Sequence, residues 1–298
     1  MKDAHLQHAV EFAAYRLFVR WLHRRRHEDV AAPGRRLGRL AYRLLRSKRR
    51  LAERNVARVF PELDGAAGQR IVELCFEHFG AYFLEVVSAG RLDRGELLSR
   101  FELSGLEHLE HALSGPRGCF LTTGHFGTWE LAMFPLADWA TRHGRSFHAV
   151  ARPLDNPRID ADLRASRGRY GVEIIDKAGA AHRMLNAYRR GGLVAIVIDQ
   201  HVRESAGIRV PFFGEPAWTS PVLATLSLRT GAPVVPFTCL PAGPGRYRLV
   251  VHEAIEPASS DLQESEAEAE MTRLYLAAVE RDIREQPEYW LWMHRRWR

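Results

Sequence analysis

The sequence lacks the short motifs by which several common enzyme classes are identified. It has no Gly-x-Ser-x-Gly elbow, no phosphate-binding loop ending in Gly-Lys-Ser/Thr, no dinucleotide-binding glycine pattern and no His-Glu-x-x-His. The usual sequence evidence for serine hydrolases, nucleotide hydrolases and zinc peptidases is therefore missing.

Cysteine is scarce, and long apolar runs are absent. The three cysteines, Cys75, Cys119 and Cys239, are far apart and form no Cys-x-x-Cys pair. This pattern is typical of a reducing compartment and predicts no metal site, and no prosthetic group is implied elsewhere. The most apolar N-terminal stretch, 9–22, contains three charges and is shorter than the roughly 20 residues of a bilayer span. With no signal peptide recognisable, we expect a protein of the cytoplasm or of the cytoplasmic face of a membrane.

Acidic residues are also scarce in the N-terminal region. Between Arg16 and Arg58 there are 15 Lys/Arg against three acidic residues, a net of +12 in a chain whose total is +7. The basic character is therefore local, and the rest of the chain is slightly acidic. A local basic face attracts anionic lipid surfaces, nucleic acid or an acidic protein.

Two amphipathic helices are predicted within this basic region, on either side of Pro33-Gly34. Leu6, Val10, Leu17 and Trp21 recur at helical spacing in the first, and leucines between positions 37 and 45 form a similar stripe in the second. Two interpretations remain open. The helices either pack on a core and expose basic faces to solvent, or lie among lipid headgroups with Trp and Leu towards the lipid and Arg towards the phosphates.

From about residue 117, short apolar runs alternate with helical patterns. Strands are predicted at 119–123, 147–151, 172–175, 193–198, 234–239 and 246–252, and helices at 69–90, 128–142, 157–170, 179–190, 219–230 and 262–285. Such alternation indicates an α/β fold with a central, mostly parallel sheet and helices on both faces. We expect an α/β domain over 61–298, preceded by a basic, membrane-facing helical segment over 1–60.

The segment Gly124-His125-Phe126-Gly127-Thr128-Trp129-Glu130 combines the residue types needed for general-base catalysis. The strand 119–123 runs directly into it, so His125 falls at the carboxyl end of a strand, where open α/β sheets place their ligand sites. A turn through the two glycines is expected to fold Glu130 back onto the imidazole. The carboxylate would then fix the imidazole tautomer and leave its other nitrogen to accept a proton from an alcohol.

These residues resemble a known family. The spacing of His125 and Glu130 matches the His-x-x-x-x-Asp/Glu motif of glycerolipid acyltransferases, and the whole chain is more similar to the lipid A biosynthesis (lauroyl/myristoyl) acyltransferases of Gram-negative bacteria. The segments that carry the resemblance follow the family's order and lie at 55–62, 124–130, 151–157, 199–200, 210–214, 229–236 and 287–297. The resemblance implies transfer of a fatty acyl chain from acyl carrier protein, or from acyl-CoA, to a lipid hydroxyl without a covalent enzyme intermediate.

The resemblance also implies roles for individual residues. His125 would be the general base and Glu130 the residue that orients it, while Arg152, Asp199 and Gln200 would bind substrate. Arg152 would bind a phosphate on the acceptor or help to stabilise the oxyanion, although a structural ion pair with Asp155 or Asp199 is the other interpretation. For Asp199, the alternative is that it closes the loop after its strand. Phe212, Phe213 and Trp218 either line an acyl groove or pack in the core.

Competing functions remain open at this point. The same motif would serve an acyl-CoA-dependent enzyme acting on a phospholipid, an aminolipid or a phosphatidylinositol mannoside. A non-catalytic basic protein that binds membranes is the alternative from another class, but it leaves the polar residues at the strand ends unexplained. The expected partners are the acyl donor, the lipid acceptor and a membrane surface, with no nucleic acid. The expected location is the cytoplasmic face of the bacterial inner membrane.

Overall fold

The computed structural model describes residues 2–257 and 263–298. Its helices are α1 (Lys2–Leu22), α2 (Ala31–Leu44), α3 (Arg46–Val59), α4 (Gly65–Ala89), α5 (Arg94–Leu98), α6 (Leu106–Ala112), α7 (Trp129–Arg142), α8 (Pro157–Gly168), α9 (Ala180–Arg189), α10 (Val222–Thr230) and α11 (Glu264–Glu285). Its strands are β1 (Phe101–Ser104), β2 (Cys119–Thr123), β3 (Phe147–Ala151), β4 (Val172–Asp176), β5 (Leu193–Val197), β6 (Ile208–Phe212), β7 (Glu215–Thr219), β8 (Val234–Gly243) and β9 (Arg246–Val251). The position 262, where the last helix was predicted to begin, lies outside the described residues.

A seven-stranded sheet in the order β1-β9-β8-β2-β5-β3-β4 forms the centre of the molecule. Strands β8, β2, β5, β3 and β4 run parallel to one another, and β9 pairs with β8 in the antiparallel sense. Every residue of β2 is buried, as is typical of a central parallel strand covered on both faces. The predicted α/β class with a mostly parallel sheet is confirmed.

Alternate residues of the central strands enter two separate cores. Phe120, Val194 and Val234 pack with α9, α10 and α11 on one face. Leu121, Ala195 and Val235 pack with α6 and α7 on the other. The two cores therefore pack helices against both faces of the sheet. This packing holds the sheet in place and so fixes the positions of the strand ends.

Some elements differ from the sequence-based expectation. A third basic helix, α3, follows α2, and the strands β6 and β7 form a separate antiparallel ribbon. Pro211 pairs with Pro216 in that ribbon. Because proline cannot donate to a strand ladder, a strand that contains one scores poorly by pattern. The short β1 was also missed, since three of its four residues are exposed and show no alternation.

Among the described residues, we find no helix with both the length and the apolar character to span a bilayer.

Candidate active site

The strand register brings His125 and Asp199 together. Thr123 of β2 is paired with Val197 of β5, and each chain continues two residues past that pair, to His125 and to Asp199. The carboxyl ends of neighbouring parallel strands therefore deliver an imidazole and a carboxylate to the same point, at the edge where α/β sheets bind ligands. His125 Nδ1 lies 2.7 Å from Asp199 Oδ1.

Asp199 is a buried carboxylate that accepts three hydrogen bonds. Its Oδ2 accepts the backbone N–H of His125 at 2.8 Å and the indole N–H of Trp290 at 2.7 Å. Burial alone would raise the pKa of Asp199, but the charge of His125 and the hydrogen bonds from His125 and Trp290 outweigh it, and they lower the pKa to about 2. Asp199 is therefore ionised at neutral pH and accepts the Nδ1–H of the imidazole.

Gln200 forms a hydrogen bond with the other ring nitrogen of His125, Nε2. Its amide Nε2 lies 3.0 Å from His125 Nε2 and donates to it, since Nδ1 carries the ring proton. The lone pair on Nε2 is therefore directed towards Gln200 and the cavity beyond. This is the tautomer that a general base needs.

Glu130 does not hydrogen-bond with His125, contrary to the expectation from the motif. Its carboxylate forms an ion pair with Arg167 of α8, with Arg167 Nε at 3.1 Å from Oε1, and accepts a hydrogen bond from Tyr82 at 3.4 Å. The physical reason is the start of α7, which places Trp129 against His125 in an edge-on contact at 5.1 Å between ring centroids. Glu130 follows and is directed towards α4 and α8.

The turn between His125 and Glu130 is held by backbone hydrogen bonds. Gly127 has φ +60°, and its N–H donates to the Tyr289 carbonyl at 2.9 Å. A side chain at this position would place Cβ 2.0 Å from the Cys239 carbonyl oxygen, so only glycine fits. His78 of α4 donates to the Gly127 carbonyl at 3.0 Å. Because burial lowers the pKa of His78 to about 4, the ring is a neutral donor.

A cavity of about 540 Å³ opens beside these residues. His125, Trp129, Glu130, Arg152 and Gln200 lie in its wall, together with apolar residues of β3, β5 and α9. Asp199 does not line the cavity and lies behind His125. The cavity wall thus combines apolar side chains with a few polar groups, as small-molecule sites in proteins commonly do.

Arg152 follows β3, which is the next strand beyond β5, and so reaches the same edge of the sheet. Its guanidinium is largely exposed and lies 3.3 Å from Asp155, also exposed. An exposed ion pair of this kind is weak. Arg152 is therefore available to a ligand in the cavity that it lines.

Three residues of the site were not singled out from the sequence. Arg167, Trp290 and His78 contact Glu130, Asp199 and the Gly127 carbonyl respectively, and all three come from distant parts of the chain. The tryptophan-rich C-terminal segment was a visible signal for Trp290, but its contact was not.

Two of the aromatic residues that were considered for an acyl groove lie in the core instead. Phe212 and Phe213 are buried and pack against Phe60, Trp290 and Trp297, and they do not line the cavity. Core packing is their role in the described structure. Within the same described residues, no group of three or more His, Cys, Asp or Glu is placed to hold a metal ion.

Comparison with known proteins identifies the family to which a chain with this site belongs. The family model described as bacterial lipid A biosynthesis acyltransferase matches residues 3–298. The chain is 28% identical over 268 residues to the lipid A biosynthesis lauroyltransferase of Escherichia coli K12, which covers 88% of this chain and 83% of that protein. It is 26% identical over 249 residues to the phosphatidylinositol mannoside acyltransferase of Mycobacterium tuberculosis H37Rv, covering 82% and 75%. It is 24% identical over 267 residues to the lipid A biosynthesis palmitoleoyltransferase of Escherichia coli K12, covering 89% and 83%.

Proposed function

Because the chain belongs to the bacterial lipid A biosynthesis acyltransferase family and is an acyltransferase, we propose that it transfers a fatty acyl chain from acyl carrier protein to a hydroxyl of a lipid A precursor or related glycolipid. The observation that carries the proposal is the imidazole of His125, whose Nδ1 is held by a buried carboxylate while its Nε2 faces a largely apolar cavity.

The proposed reaction is a direct transfer with His125 as general base. The acceptor hydroxyl displaces the Gln200 amide from His125 Nε2, gives its proton to that nitrogen and attacks the thioester carbonyl. The C–S bond of the tetrahedral intermediate then breaks, and the leaving thiolate takes the proton back from the imidazolium. Asp199 stabilises the imidazolium by charge and fixes the ring orientation through the hydrogen bond to Nδ1.

The state of the cysteines supports the absence of a covalent thioester on the enzyme. All three are buried, and burial raises the pKa of each thiol to about 12. A thiol of this kind is almost entirely protonated at neutral pH and is a poor nucleophile.

Arg152 and the pair Glu130–Arg167 complete the proposed site. The exposed guanidinium of Arg152 is suited to a phosphate on the acceptor, because its planar fork can bind two oxygens at once. Glu130 is a member of the catalytic site in this proposal, but it acts through Arg167 by holding α8 against the start of α7, and the orientation of His125 falls to Asp199.

A second acceptor class is favoured by one finding. Three of the relatives are described as phosphatidylinositol mannoside acyltransferases. The same His125 site would serve such an acceptor, or an acyl-CoA donor, with no change in chemistry.

We also propose that the protein works at the cytoplasmic surface of the inner membrane, attached peripherally through its N-terminal helices. Leu6, Val10, Leu17 and Trp21 of α1 are between 43% and 68% exposed, and several leucines of α2 are similarly exposed. Exposed apolar stripes beside arginines are typical of helices that lie in the headgroup layer. Asn156, four residues beyond Arg152 of the cavity wall, donates to the His8 carbonyl of α1 at 2.9 Å. This contact connects α1 to the loop that follows Arg152, so α1 on the membrane would hold that loop close to the lipid.

The decisive experiment is a radiolabelled transfer assay with purified enzyme in detergent. Thioesters of acyl carrier protein and of coenzyme A are offered as donors, and a lipid A precursor, a phosphatidylinositol mannoside and lysophospholipids as acceptors. We expect label to move from the carrier protein to the lipid A precursor, and His125→Ala to abolish the transfer while leaving the far-ultraviolet circular dichroism spectrum unchanged.

The other outcomes divide the alternatives. Label on the mannoside or a lysophospholipid alone would retain the mechanism and replace the acceptor. Transfer that survives in His125→Ala would refute the assigned base. Membrane binding without transfer to any acceptor would favour the non-catalytic alternative.

A further inference from the structure

A second cleft of about 310 Å³ lies between α1, α4 and α8. It shares no lining residue with the cavity beside His125. Its walls carry Arg16 and Arg20 from α1, and Arg169 from the residue directly after α8. The catalytic proposal does not use any of these side chains.

The cleft has an excess of positive charge. Asp162 is the one carboxylate among the described residues that line it, against three arginines. Asp162 accepts the Tyr15 hydroxyl at 2.8 Å and lies 3.7 Å from Arg16, so its charge is already partly engaged. His23 adds no full charge at neutral pH, because burial lowers its pKa. The three arginines and the one carboxylate therefore give the cleft a net charge of +2, which favours the binding of an anion.

The arginines of the cleft come from two elements, Arg16 and Arg20 from α1 and Arg169 from the end of α8. Arg169 donates one N–H to the Gly90 carbonyl at 2.8 Å, which holds the head in place and leaves its other donors free for a ligand. Arg16 of α1 lies 3.7 Å from Asp162 of α8, and because both side chains are partly exposed this ion pair is weak and can give way to a ligand. Guanidinium donors that come from two elements of a cleft match the several acceptor oxygens of a phosphate group.

The surface next to the cleft is apolar. At 3.6 residues per turn, Leu6, Val10, Leu17 and Trp21 fall on one narrow stripe of α1, and Arg16 and Arg20 lie along one edge of that stripe. Phe83 of α4 is 56% exposed and lies 6.2 Å, centroid to centroid, from Phe18 of α1. A ligand with a phosphate head and apolar chains could thus place its head in the basic cleft and its chains on the apolar surface beside it.

We propose that this cleft binds the phosphate headgroup of a single anionic phospholipid, with the acyl chains lying along the exposed stripe of α1. The bound lipid fixes the angle at which α1 meets the membrane. Since α1 also contacts Asn156, four residues after Arg152 of the cavity wall, the same contact limits how that cavity is oriented. The cleft would act in this way whichever lipid the enzyme acylates.

Binding of a monomeric lipid distinguishes a specific site in the cleft from general attraction between the basic helices and a charged membrane surface. Dihexanoylphosphatidylglycerol below its critical micelle concentration offers one headgroup and no surface, and its binding to His125→Ala protein is followed by calorimetric titration. We expect saturable binding that weakens about fivefold for each arginine removed in Arg16→Gln and Arg20→Gln. Arg36→Gln and Arg43→Gln on α2, matched in charge, should bind as the parent does.

Two further arms test the shape and the source of the phosphate. Ala165→Trp fills the cleft without changing any charge and should abolish binding of the monomeric lipid. Glycerol 1-phosphate, which has the head without the chains, and dihexanoylphosphatidylcholine, which is zwitterionic, should both bind much more weakly. The proposal is overturned if the parent does not bind, if the cleft variants bind as well as those on α2, or if glycerol phosphate binds equally well. Retained melting temperatures show that each variant is folded, and the outcome does not depend on the acyl-transfer assay.

Discussion

The single carboxylate of Asp199 determines which nitrogen of His125 carries the proton. It accepts hydrogen bonds from the ring, from the His125 backbone and from Trp290. An ionised carboxylate in this position accepts a hydrogen bond from Nδ1–H and therefore fixes the Nδ1–H tautomer. Only that tautomer leaves a lone pair at Nε2 for the hydroxyl of the lipid substrate. Asp199 therefore acts on the reaction through His125, as a positioning residue.

Asp199→Asn tests this role with almost no change in shape. The amide oxygen would still accept from Trp290 and the backbone, so its NH₂ would face Nδ1 and force the proton onto Nε2. We expect kcat to fall by about 10³–10⁴-fold, with little change in KM, as for a base held in the wrong tautomer. Steady-state transfer assays at several acceptor concentrations give both constants.

Glu130→Gln is the matched control at the residue scale. It also exchanges a carboxylate for an amide, but Glu130 contacts Arg167 and Tyr82 and not the imidazole. Its kcat should therefore fall by less than that of Asp199→Asn. A larger loss in Glu130→Gln would return the orienting role to the motif carboxylate.

At the scale of elements, the turn between β2 and α7 depends on one glycine. Gly127→Ala puts a side chain at φ +60° and drives Cβ to 2.0 Å from the Cys239 carbonyl. Gly144 provides a control with φ +67° and no atom within 4 Å of its Cβ. We expect Gly144→Ala to cost about 1 kcal/mol of unfolding free energy, and Gly127→Ala to cost several times that and to lower kcat.

Urea unfolding and transfer assays on the two glycine variants provide the comparison. Equal losses of stability would mean that the turn can move away from β8 without penalty. In that case the hydrogen bonds from Gly127 to Tyr289 and from His78 to Gly127 would not be what positions His125.

The elements of the site were predictable from the sequence to different degrees. The strand before His125 and the strand before Asp199 were both evident as short apolar runs. Their adjacency was not, because β5 enters the sheet between β2 and β3 although it follows both in the chain. Chain order therefore suggested the local residue Glu130 as the partner of His125, whereas the strand register supplies Asp199 from 74 residues away.

On the scale of the whole molecule, buried ionisable groups link stability to pH. Burial lowers the pKa of His27, His78 and His294 to about 4, and it raises the pKa of Glu85 to about 7. A histidine that is neutral in both the native and the unfolded state adds no pH-dependent contribution to stability. The unfolded chain takes up protons below about pH 6.5, so each buried histidine costs stability as the pH falls from about 6.5 to about 4.

Glu85 acts in the opposite direction over nearly the same range. The native carboxyl binds its proton below about pH 7, and the unfolded one only below about 4.5, so a fall in pH between these values favours the native state. For the buried His27, His78 and Glu85, a shift of this size corresponds to on the order of 3 kcal/mol, and the contribution of the half-buried His294 is smaller because solvent screens it. With three histidines against one glutamate, we expect a net loss of unfolding free energy between pH 7 and pH 4.5.

Glu85→Gln removes the opposing group and keeps its shape, so its unfolding free energy should fall more steeply over this range than that of the parent. Urea unfolding at half-unit steps of pH measures both slopes, and Glu110→Gln on the exposed surface of α6 serves as the matched control. The control should follow the parent. Identical slopes for all three proteins would mean that Glu85 is ionised in the native state, and its burial beside Tyr247 would then require a compensating positive charge such as Arg35.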